Sequence, residues 1–267
     1  MGKYYAIDPD MLAFYSSGME QARLSCGAGL LEYLRTCELL ARYLPQPPAV
    51  VLDVGGGPGA YALLLAMRGY DVHLIDPVPV HVAQARQASQ AQPTPLRSIA
   101  EGDARSLRWP EASLDAVLLL GPLYHLPERR NRMAALREAH RVMRPRGVIF
   151  AAALSRFAST LDGLRWDRGS QPEFTQIVER AVRNGRRQNP PAYAHRPDEL
   201  RREITTAGFS VEALVAVEGP GWLLPDVDAH LADPMRCDQV LGVLRTIEAE
   251  PSLMGASAHI LAIGRRR

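Results

Sequence analysis

The amino-acid sequence predicts an α/β protein with a doubly wound, mostly parallel sheet covered by helices on both faces. Between residues 49 and 154, short continuous apolar segments alternate with segments of helical periodicity, a pattern typical of buried parallel strands and their crossover helices. A run of glycines follows the first apolar segment. The chain has 267 residues, and domains average about 150 residues, so we expect one domain with added segments.

The predicted elements follow each other in a regular order. A first helix covers residues 30–41 and ends at a proline cluster, Pro45, Pro47 and Pro48. The strands of the core are predicted at residues 50–54, 72–75, 96–100, 114–120 and 148–154. The helices between them are predicted at residues 60–68, 80–91 and 128–143, the last with an arginine-rich face that we interpret as solvated surface.

After residue 154 the alternation stops for about forty residues, too long for an ordinary connection. A helix is then predicted from Pro197 to Gly208, followed by strands at residues 211–217 and 259–263 with a helix at 237–248 between them. We therefore divide the chain into an N-terminal helical segment (1–48), a core (49–154), an insertion (155–196) and the C-terminal part of the core sheet (197–267).

Charge and cysteine content exclude several classes of partner. The formal net charge is +2, and the last three residues, all arginine, exceed that sum. Proteins that bind polyanions need many uncompensated cations, so we expect no nucleic acid and no membrane partner. Cys26, Cys37 and Cys237 show no metal-ligand or disulfide spacing. Together with the absence of a signal-like N-terminus or a long apolar segment, this predicts a cytoplasmic protein.

The glycine run has the form Asp53-x-Gly55-x-Gly57-x-Gly59. A glycine turn between a strand and a helix lets the backbone approach a ligand, and the helix N-terminus offers free N–H groups. Gly55, Gly57 and Ala60 also satisfy the loose dinucleotide pattern. The carboxylate of Asp53 suits a ligand with an ammonium group near the turn and would repel a pyrophosphate. The turn alone leaves both ligand classes open.

Further motifs follow the glycine run in a regular order. Asp76 ends the second strand 21 residues after Gly55, and Glu101-Gly102-Asp103-Ala104 follows the third strand. With these motifs the chain resembles the class I S-adenosylmethionine-dependent methyltransferases. Residues 114–126 resemble the fourth strand and the active-site loop of the family, and residues 141–147 its turn into strand five. The resemblance implies a Rossmann-like sheet of seven strands, order 3-2-1-4-5-7-6 with strand 7 antiparallel, an N-terminal helical lid and a cap inserted after strand 5.

The resemblance also implies the donor, S-adenosyl-L-methionine, and its product, S-adenosyl-L-homocysteine. The family keeps an acid at the position of Asp76 to accept hydrogen bonds from both ribose hydroxyls, and an acid at the position of Asp103 for the adenine amino group. The full set of expected cofactor-binding residues is Asp53, Gly55, Gly56, Gly57, Gly59, Asp76, Pro77, Asp103, Ala104, Leu120, Gly121, Tyr15 and Arg23.

The segment Gly121-Pro122-Leu123-Tyr124-His125 is similar to that of family members acting on small molecules. We expect His125 to be the base where one is needed, because imidazole titrates near neutral pH, and Tyr124 to orient the acceptor. Both residues have ordinary structural alternatives, a loop anchor and a buried aromatic. The residues expected to contact substrate are Tyr5, Glu20, Trp166, Tyr193 and His195, and no metal site is predicted.

These observations predict an enzyme that transfers a methyl group by in-line displacement to an N, O or C atom of a small molecule, a secondary metabolite in our interpretation. Two alternatives stay open at this point: an NAD(P)-dependent oxidoreductase using the same glycine turn, and a non-catalytic module that binds S-adenosylmethionine. Apart from its last three residues, the chain has almost no net charge, which argues against RNA as the acceptor. The sequence leaves open a homodimer and whether the N-terminal segment moves.

Overall fold

A computed structural model describes residues 9–16, 20–168, 171–187 and 191–267. It contains the expected α/β architecture. The strands are β1 (Val50–Val54), β2 (Asp71–Asp76), β3 (Ser98–Glu101), β4 (Leu114–Leu119), β5 (Met143–Ser155), β6 (Arg186–Arg187), β7 (Ala192–His195), β8 (Phe209–Ala216) and β9 (His259–Arg266). The helices are α1 (Pro9–Tyr15), α2 (Glu20–Arg23), α3 (Gly27–Tyr43), α4 (Ala60–Met67), α5 (Pro79–Gln90), α6 (Arg129–Val142), α7 (Ala158–Arg165), α8 (Pro172–Asn184), α9 (Pro197–Thr206), α10 (Val227–Ala232), α11 (Pro234–Ile247) and α12 (Pro251–Met254). A short 3-10 helix covers Gly219–Leu223.

The predicted strand order is confirmed. The main sheet runs β3-β2-β1-β4-β5-β9-β8, with β9 antiparallel to both of its neighbours and the strands from β3 to β5 parallel. The first strand, β1, matches its predicted bounds. The last two strands carry the numbers 8 and 9 because the insertion contributes two further short strands, β6 and β7.

The sheet is buried on both faces, as the continuous apolar segments predict. Successive strand residues point to opposite faces. On β1, Leu52 and Val54 therefore join one apolar cluster, with α6 and α9. Val51 joins the other cluster, with Leu39 and Leu40 of α3. Because both faces of the sheet are covered, the loops that can bind a ligand meet at the carboxyl ends of the parallel strands.

The insertion contains two helices and two short strands in its described part. Leu154 of β5 pairs with His259 of β9 on one side and with Ala194 of β7 on the other. The second side is the one that β4 occupies up to the Leu119–Ala151 pair. β7 therefore continues the sheet where β4 ends, directly beside the loop that follows β4. The Tyr193 N–H donates to the Tyr124 carbonyl over 2.8 Å, which ties the insertion to this loop.

One interpretation of the α6 surface is wrong. Arg132, which we assigned to a solvated face, is 2% exposed. Its Nε and Nη2 donate to the Glu203 carboxylate of α9 over 2.9 and 2.8 Å. Its Nη1 donates to the Leu126 and Pro127 carbonyls over 3.0 and 2.9 Å. The carboxylate that compensates this charge is far away in sequence, so helical periodicity could not predict its burial.

None of the helices in the described ranges combines the length and the apolar character needed to cross a membrane.

Candidate active site

A cavity of about 640 Å³ opens at the carboxyl ends of β1, β2 and β4. Its walls come from the glycine turn, the β2–α5 connection, the segment after β3, the loop after β4, and helices α1 to α3. The predicted residues that line it are Asp53, Gly55, Gly56, Gly57, Asp76, Pro77, Asp103, Ala104, Leu120, Gly121, Tyr15, Arg23, Glu20, Tyr124 and His125. Residues spread over more than a hundred positions of sequence therefore meet in one cavity.

The glycine turn needs glycine for two physical reasons. Gly55 and Gly57 have φ angles of 71° and 56°, in the left-handed region that side chains disfavour. At Gly56 an added Cβ would lie 2.7 Å from Asp53 Oδ2, closer than packing allows. Gly59 is the exception among the predicted cofactor-binding residues, because it does not line the cavity. It precedes α4 with a φ of 97° and so serves the strand-to-helix turn.

Asp53 lies beneath this turn and is 1% exposed. Burial, together with the negative charge of Asp76, raises the pKa of Asp53 to about 7. Within the described part of the chain, its Oδ2 atom has no hydrogen-bond partner. A buried carboxylate oxygen without a donor costs free energy, so a cation or N–H donor entering the cavity would stabilise it.

Asp76 organises the start of the cavity wall. Its Oδ2 accepts from the Gly57 N–H over 2.9 Å, and its Oδ1 accepts from the Val78 N–H over 2.8 Å. His81, in the first turn of α5, places Nδ1 3.1 Å from the same Oδ1. The carboxylate thus links the glycine turn to the start of α5. It also lies at the cavity surface.

Asp103 and Ala104 line the cavity beyond β3. The Asp103 carboxylate is held by the Arg105 side chain, with Nε 2.9 Å from Oδ1 and Nη2 2.6 Å from Oδ2. The Arg105 backbone N–H donates to Oδ1 over 2.7 Å. This pairing fixes the orientation of the carboxylate at the cavity wall. Contact of Asp103 with an adenine amino group stays a prediction.

The loop after β4 places Tyr124 and His125 beside each other, with ring centroids 4.6 Å apart. A hydrogen bond of 2.8 Å joins His125 Nε2 to the Tyr15 hydroxyl of α1. Burial and, to a lesser degree, the nearby arginines lower the pKa of His125 to about 4. The imidazole is therefore neutral at physiological pH, with one ring nitrogen that carries a lone pair. Burial holds the pKa of Tyr124 well above its ordinary value, so its phenol stays protonated.

Helices α1 and α2 form one wall of the cavity through Tyr15, Glu20 and Arg23. The Arg23 guanidinium donates to Glu20 over 2.7 Å and to Glu32 of α3 over 2.5 and 3.2 Å. These carboxylates already compensate the charge of Arg23. A ligand carboxylate that paired with Arg23 would therefore share the guanidinium with Glu20 and Glu32. Tyr5 lies outside the described residues.

Three predicted substrate contacts are not brought to this cavity. Trp166 is 61% exposed at the end of α7. Tyr193 lies on the far side of the loop after β4, where the Arg132 guanidinium stacks 3.8 Å from its ring centroid. His195 is fully buried, with Nε2 3.4 Å from Glu203. Tyr193 and His195 of β7 contact Arg132 of α6 and Glu203 of α9 instead, and a contact of any of the three residues with substrate stays a prediction.

Sequence reasoning missed several other residues that line the cavity, among them Glu32, Tyr61, His81 and Asn131. The position of His81, five residues after Asp76 in the first turn of a helix, was the available signal. Glu32 lies within α3, and from the sequence an acidic residue in a helix is indistinguishable from an ordinary solvent-exposed one. Its contact with Arg23 is the observation that reveals it.

Glu32, Glu218 and His259 are the described residues that lie close enough together to hold a metal ion. His259 Nδ1 is already 2.6 Å from Glu218 Oε1 and 3.7 Å from Glu32 Oε2. The two carboxylates outweigh burial and raise the pKa of His259 to about 9. The imidazolium thus balances the negative charge at this position. The prediction that no metal takes part stays a prediction.

Comparison with known proteins gives this site a context. A family model of the methyltransferase domain matches residues 52–151. A ubiquinone biosynthesis O-methyltransferase of Methylocella silvestris is 31% identical over 175 residues, which are 63% of this chain and 62% of the relative. A demethylmenaquinone methyltransferase of Deinococcus radiodurans is 40% identical over 79 residues, 29% of this chain and 32% of the relative.

The solved structures extend the likeness beyond the matched domain. A methyltransferase of Thermotoga maritima, described as a possible histamine N-methyltransferase, aligns with a TM-score of 0.58 at 17% identity. The alignment covers 96% of this chain and 99% of that chain, and at this identity it shows the fold. The chain spans less than two thirds of the length of both curated relatives. Residues 52–151 therefore form a methyltransferase domain, in a chain whose overall fold is that of the S-adenosylmethionine-dependent methyltransferases.

Proposed function

We propose that this protein transfers the methyl group of S-adenosyl-L-methionine to an N, O or C atom of a small molecule and releases S-adenosyl-L-homocysteine. One observation carries the proposal: the glycine turn with Asp53, the strand-end Asp76, and Asp103 line a single cavity that also contains Tyr124 and His125. The matched methyltransferase domain spans all of these residues.

The residues fit the donor in charge and in hydrogen bonding. The unpartnered Asp53 Oδ2 suits the ammonium group. Asp76 would hold the ribose and Asp103 the adenine, with Pro77, Ala104, Leu120 and Gly121 packing around them. Tyr15 and Arg23 would close the wall on the side of α1 and α2. We propose that this wall acts as a lid, since α1 contacts the loop after β4 through the Tyr15–His125 hydrogen bond.

The sulfonium group supplies the activation for methyl transfer when the donor is bound. The chain then has to align the acceptor and exclude water. Tyr124 and His125 stand on the loop after β4, where the acceptor would meet the donor. A neutral His125 can take the proton of an acceptor hydroxyl, and a neutral amine needs no base. Tyr124 keeps its proton and can donate a hydrogen bond to an acceptor oxygen.

The acceptor is proposed to be a small molecule, and an aromatic hydroxyl compound is the first class to test. The two curated relatives are named for ubiquinone and menaquinone chemistry. Met11, Leu24, Leu126 and Pro127 give the cavity an apolar portion, which suits an aromatic ring. A role in secondary metabolism and a cytoplasmic location stay predictions.

The donor assignment is tested by calorimetric titration of the purified protein with S-adenosylhomocysteine and, separately, with NAD(H). We expect saturable one-to-one binding of the first and none of the second. Binding of NAD(H) alone would overturn the proposal in favour of the oxidoreductase. Incubation with donor labelled in the methyl group and pools of aromatic hydroxyl compounds and amines then identifies the acceptor as the product that gains label. Donor binding without any labelled product would favour the non-catalytic module.

Replacing His125 by alanine is expected to lower turnover of a hydroxyl acceptor about 100-fold, the lower range for loss of a general base. The affinity for S-adenosylhomocysteine should change less than about twofold, because we assign His125 to the acceptor and not to the donor. Because the pKa of His125 is about 4, its imidazole does not change ionisation between pH 6 and 9. We therefore expect the ionisation of His125 to cause no change in turnover over this pH range. Steady-state kinetics on the identified acceptor measure this.

His73→Ala is the matched control, because His73 lies on β2 outside the cavity lining. If the His125 variant turned over at the wild-type rate, His125 would have only the structural role of anchoring its loop. Tyr15→Phe removes the hydrogen bond to His125 and keeps the imidazole. Equal losses in both variants would assign the effect to the hydrogen bond.

A further inference from the structure

The ribose-binding capacity of Asp76 is limited by bonds that it already makes inside the protein. An ionised carboxylate has about four acceptor positions. The Gly57 N–H, the Val78 N–H and His81 Nδ1 take three of them. Two of these bonds fall on Oδ1, so the remaining position is on Oδ2. One carboxylate with one free position cannot accept from both hydroxyls of a ribose without giving up a bond that holds the glycine turn or α5.

His81 offers the missing acceptor. Because an ionised carboxylate only accepts, Nδ1 carries the proton that it donates to Asp76, and in the tautomer with its single proton on Nδ1 the Nε2 atom is a lone-pair acceptor. His81 is 3% exposed and lines the cavity. In the described part of the chain, its Nε2 atom has no hydrogen-bond partner. A buried acceptor without a donor is expected to take one from a ligand.

We propose that Asp76 and His81 share the ribose of the donor, with one hydroxyl on Asp76 Oδ2 and the other on His81 Nε2. The inference rests on the proposed function and adds a specificity-determining residue to it. The Tyr15 ring of α1 packs edge-on against the imidazole, with centroids 5.4 Å apart. Nε2 is shielded from water, so a hydroxyl reaches it only if the groups packed against the imidazole, such as this ring, shift. Ribose binding and the position of α1 are thereby coupled.

The test compares two amide variants of His81. In His81→Asn the side-chain NH₂ can replace Nδ1 and keep the bond to Asp76, but nothing replaces Nε2. In His81→Gln the longer side chain can place its carbonyl oxygen near the position of Nε2. Calorimetry with S-adenosylhomocysteine should show about three- to tenfold weaker binding for His81→Asn, the range for one hydrogen bond. His81→Gln should recover part of this loss.

A second comparison changes the ligand while the protein variants stay the same. In the wild type, the 2′-deoxy and 3′-deoxy analogues of S-adenosylhomocysteine should each bind about three- to tenfold more weakly than the parent. In His81→Asn, one of the two analogues should bind as well as the parent, because its missing hydroxyl has already lost its acceptor. A purely structural role for His81 would weaken all three ligands by the same factor.

His230→Asn is the matched control, since His230 is a half-buried residue of α10 that lies outside the cavity lining. Equal sensitivity of the wild type and His81→Asn to both deoxy analogues would overturn the inference. That result differs from failure of the proposed function, in which the wild type itself would not bind S-adenosylhomocysteine. Thermal unfolding of each variant, within a few degrees of the wild type, verifies that the variants are folded.

Discussion

Replacing Asp76 by alanine is expected to weaken binding of S-adenosylhomocysteine at least about 100-fold, or about 2.8 kcal/mol. The carboxylate has structural roles besides its proposed contact with the ligand. It accepts the Gly57 and Val78 N–H groups and orients His81. Its loss removes the proposed ribose acceptor, leaves buried donors without partners, and releases the glycine turn from α5. A bond to a charged group is worth about 1.5–3 kcal/mol, and disorder of the glycine turn, which lines the same cavity, adds to that loss.

Asp71→Ala is a stringent control for this prediction. Asp71 begins the same strand that Asp76 ends, and its carboxylate pairs with Arg97 on the surface. We expect wild-type affinity for this variant in the same calorimetric titration. An Asp76 variant that binds within about threefold of the wild type would remove Asp76 from the donor site. It would also remove the ribose-sharing role proposed for His81.

Replacing Glu203 by alanine is expected to destabilise the protein by about 3–5 kcal/mol, because it leaves the buried Arg132 guanidinium without its counter-charge. For a chain of this size, this corresponds to a fall in Tm of about 10 °C. Arg132 also donates to the Leu126 and Pro127 carbonyls. The same substitution should therefore loosen the loop that carries Tyr124 and His125 and lower turnover.

The pH dependence of stability provides an independent measurement. Despite burial, the bonds to His195 and Arg132 lower the pKa of Glu203 to about 2, below about 4.3 in an unfolded chain. A depressed carboxylate pKa stabilises the folded state above the unfolded value, and this stabilisation is lost as the pH falls from about 4.3 towards 2. Thermal unfolding should therefore show a smaller acid-induced loss of stability in Glu203→Ala than in the wild type.

Two variants separate a buried ion pair from a general effect of charge removal. Asp198→Ala breaks an exposed pair with Arg202 on the same helix, α9, and should change stability by less than about 0.5 kcal/mol. Arg132→Met combined with Glu203→Leu removes both buried charges and should recover most of the loss. A Tm of Glu203→Ala close to that of the wild type would contradict the importance assigned to this pair.

The core of the fold could be predicted because its signals are local. β1 matches residues 50–54, since a buried parallel strand is a continuous apolar run that ends at a glycine turn. The α6 helix was predicted to extend to Met143, but it ends at Val142 and β5 begins directly. Arg146 adopts a φ of 67° in this strand, in the left-handed region that favours glycine. Errors of this kind affect boundaries and leave the order of elements intact.

The insertion shows the limit of such reasoning. Trp166, Tyr193 and His195 were predicted as substrate contacts because an aromatic-rich insertion suggests a wall for a ligand. β7 instead extends the sheet beyond the end of β4 and turns Tyr193 and His195 toward Arg132 and Glu203. The direction of a side chain on a short strand depends on its neighbours in the sheet, and these neighbours are distant in sequence.

The sequence by itself determined the order of strands and helices, the glycine turn, and the acids at the ends of the first three strands. Each of these depends on residues close together in the chain, through periodicity, backbone freedom or spacing. Only the tertiary structure decided that His81 shares the Asp76 carboxylate, that Glu32 pairs with Arg23, and that Arg132 is buried against Glu203. Burial and hydrogen-bond pairing are properties of neighbours in space, and for these residues the fold brings the partners together from separate segments.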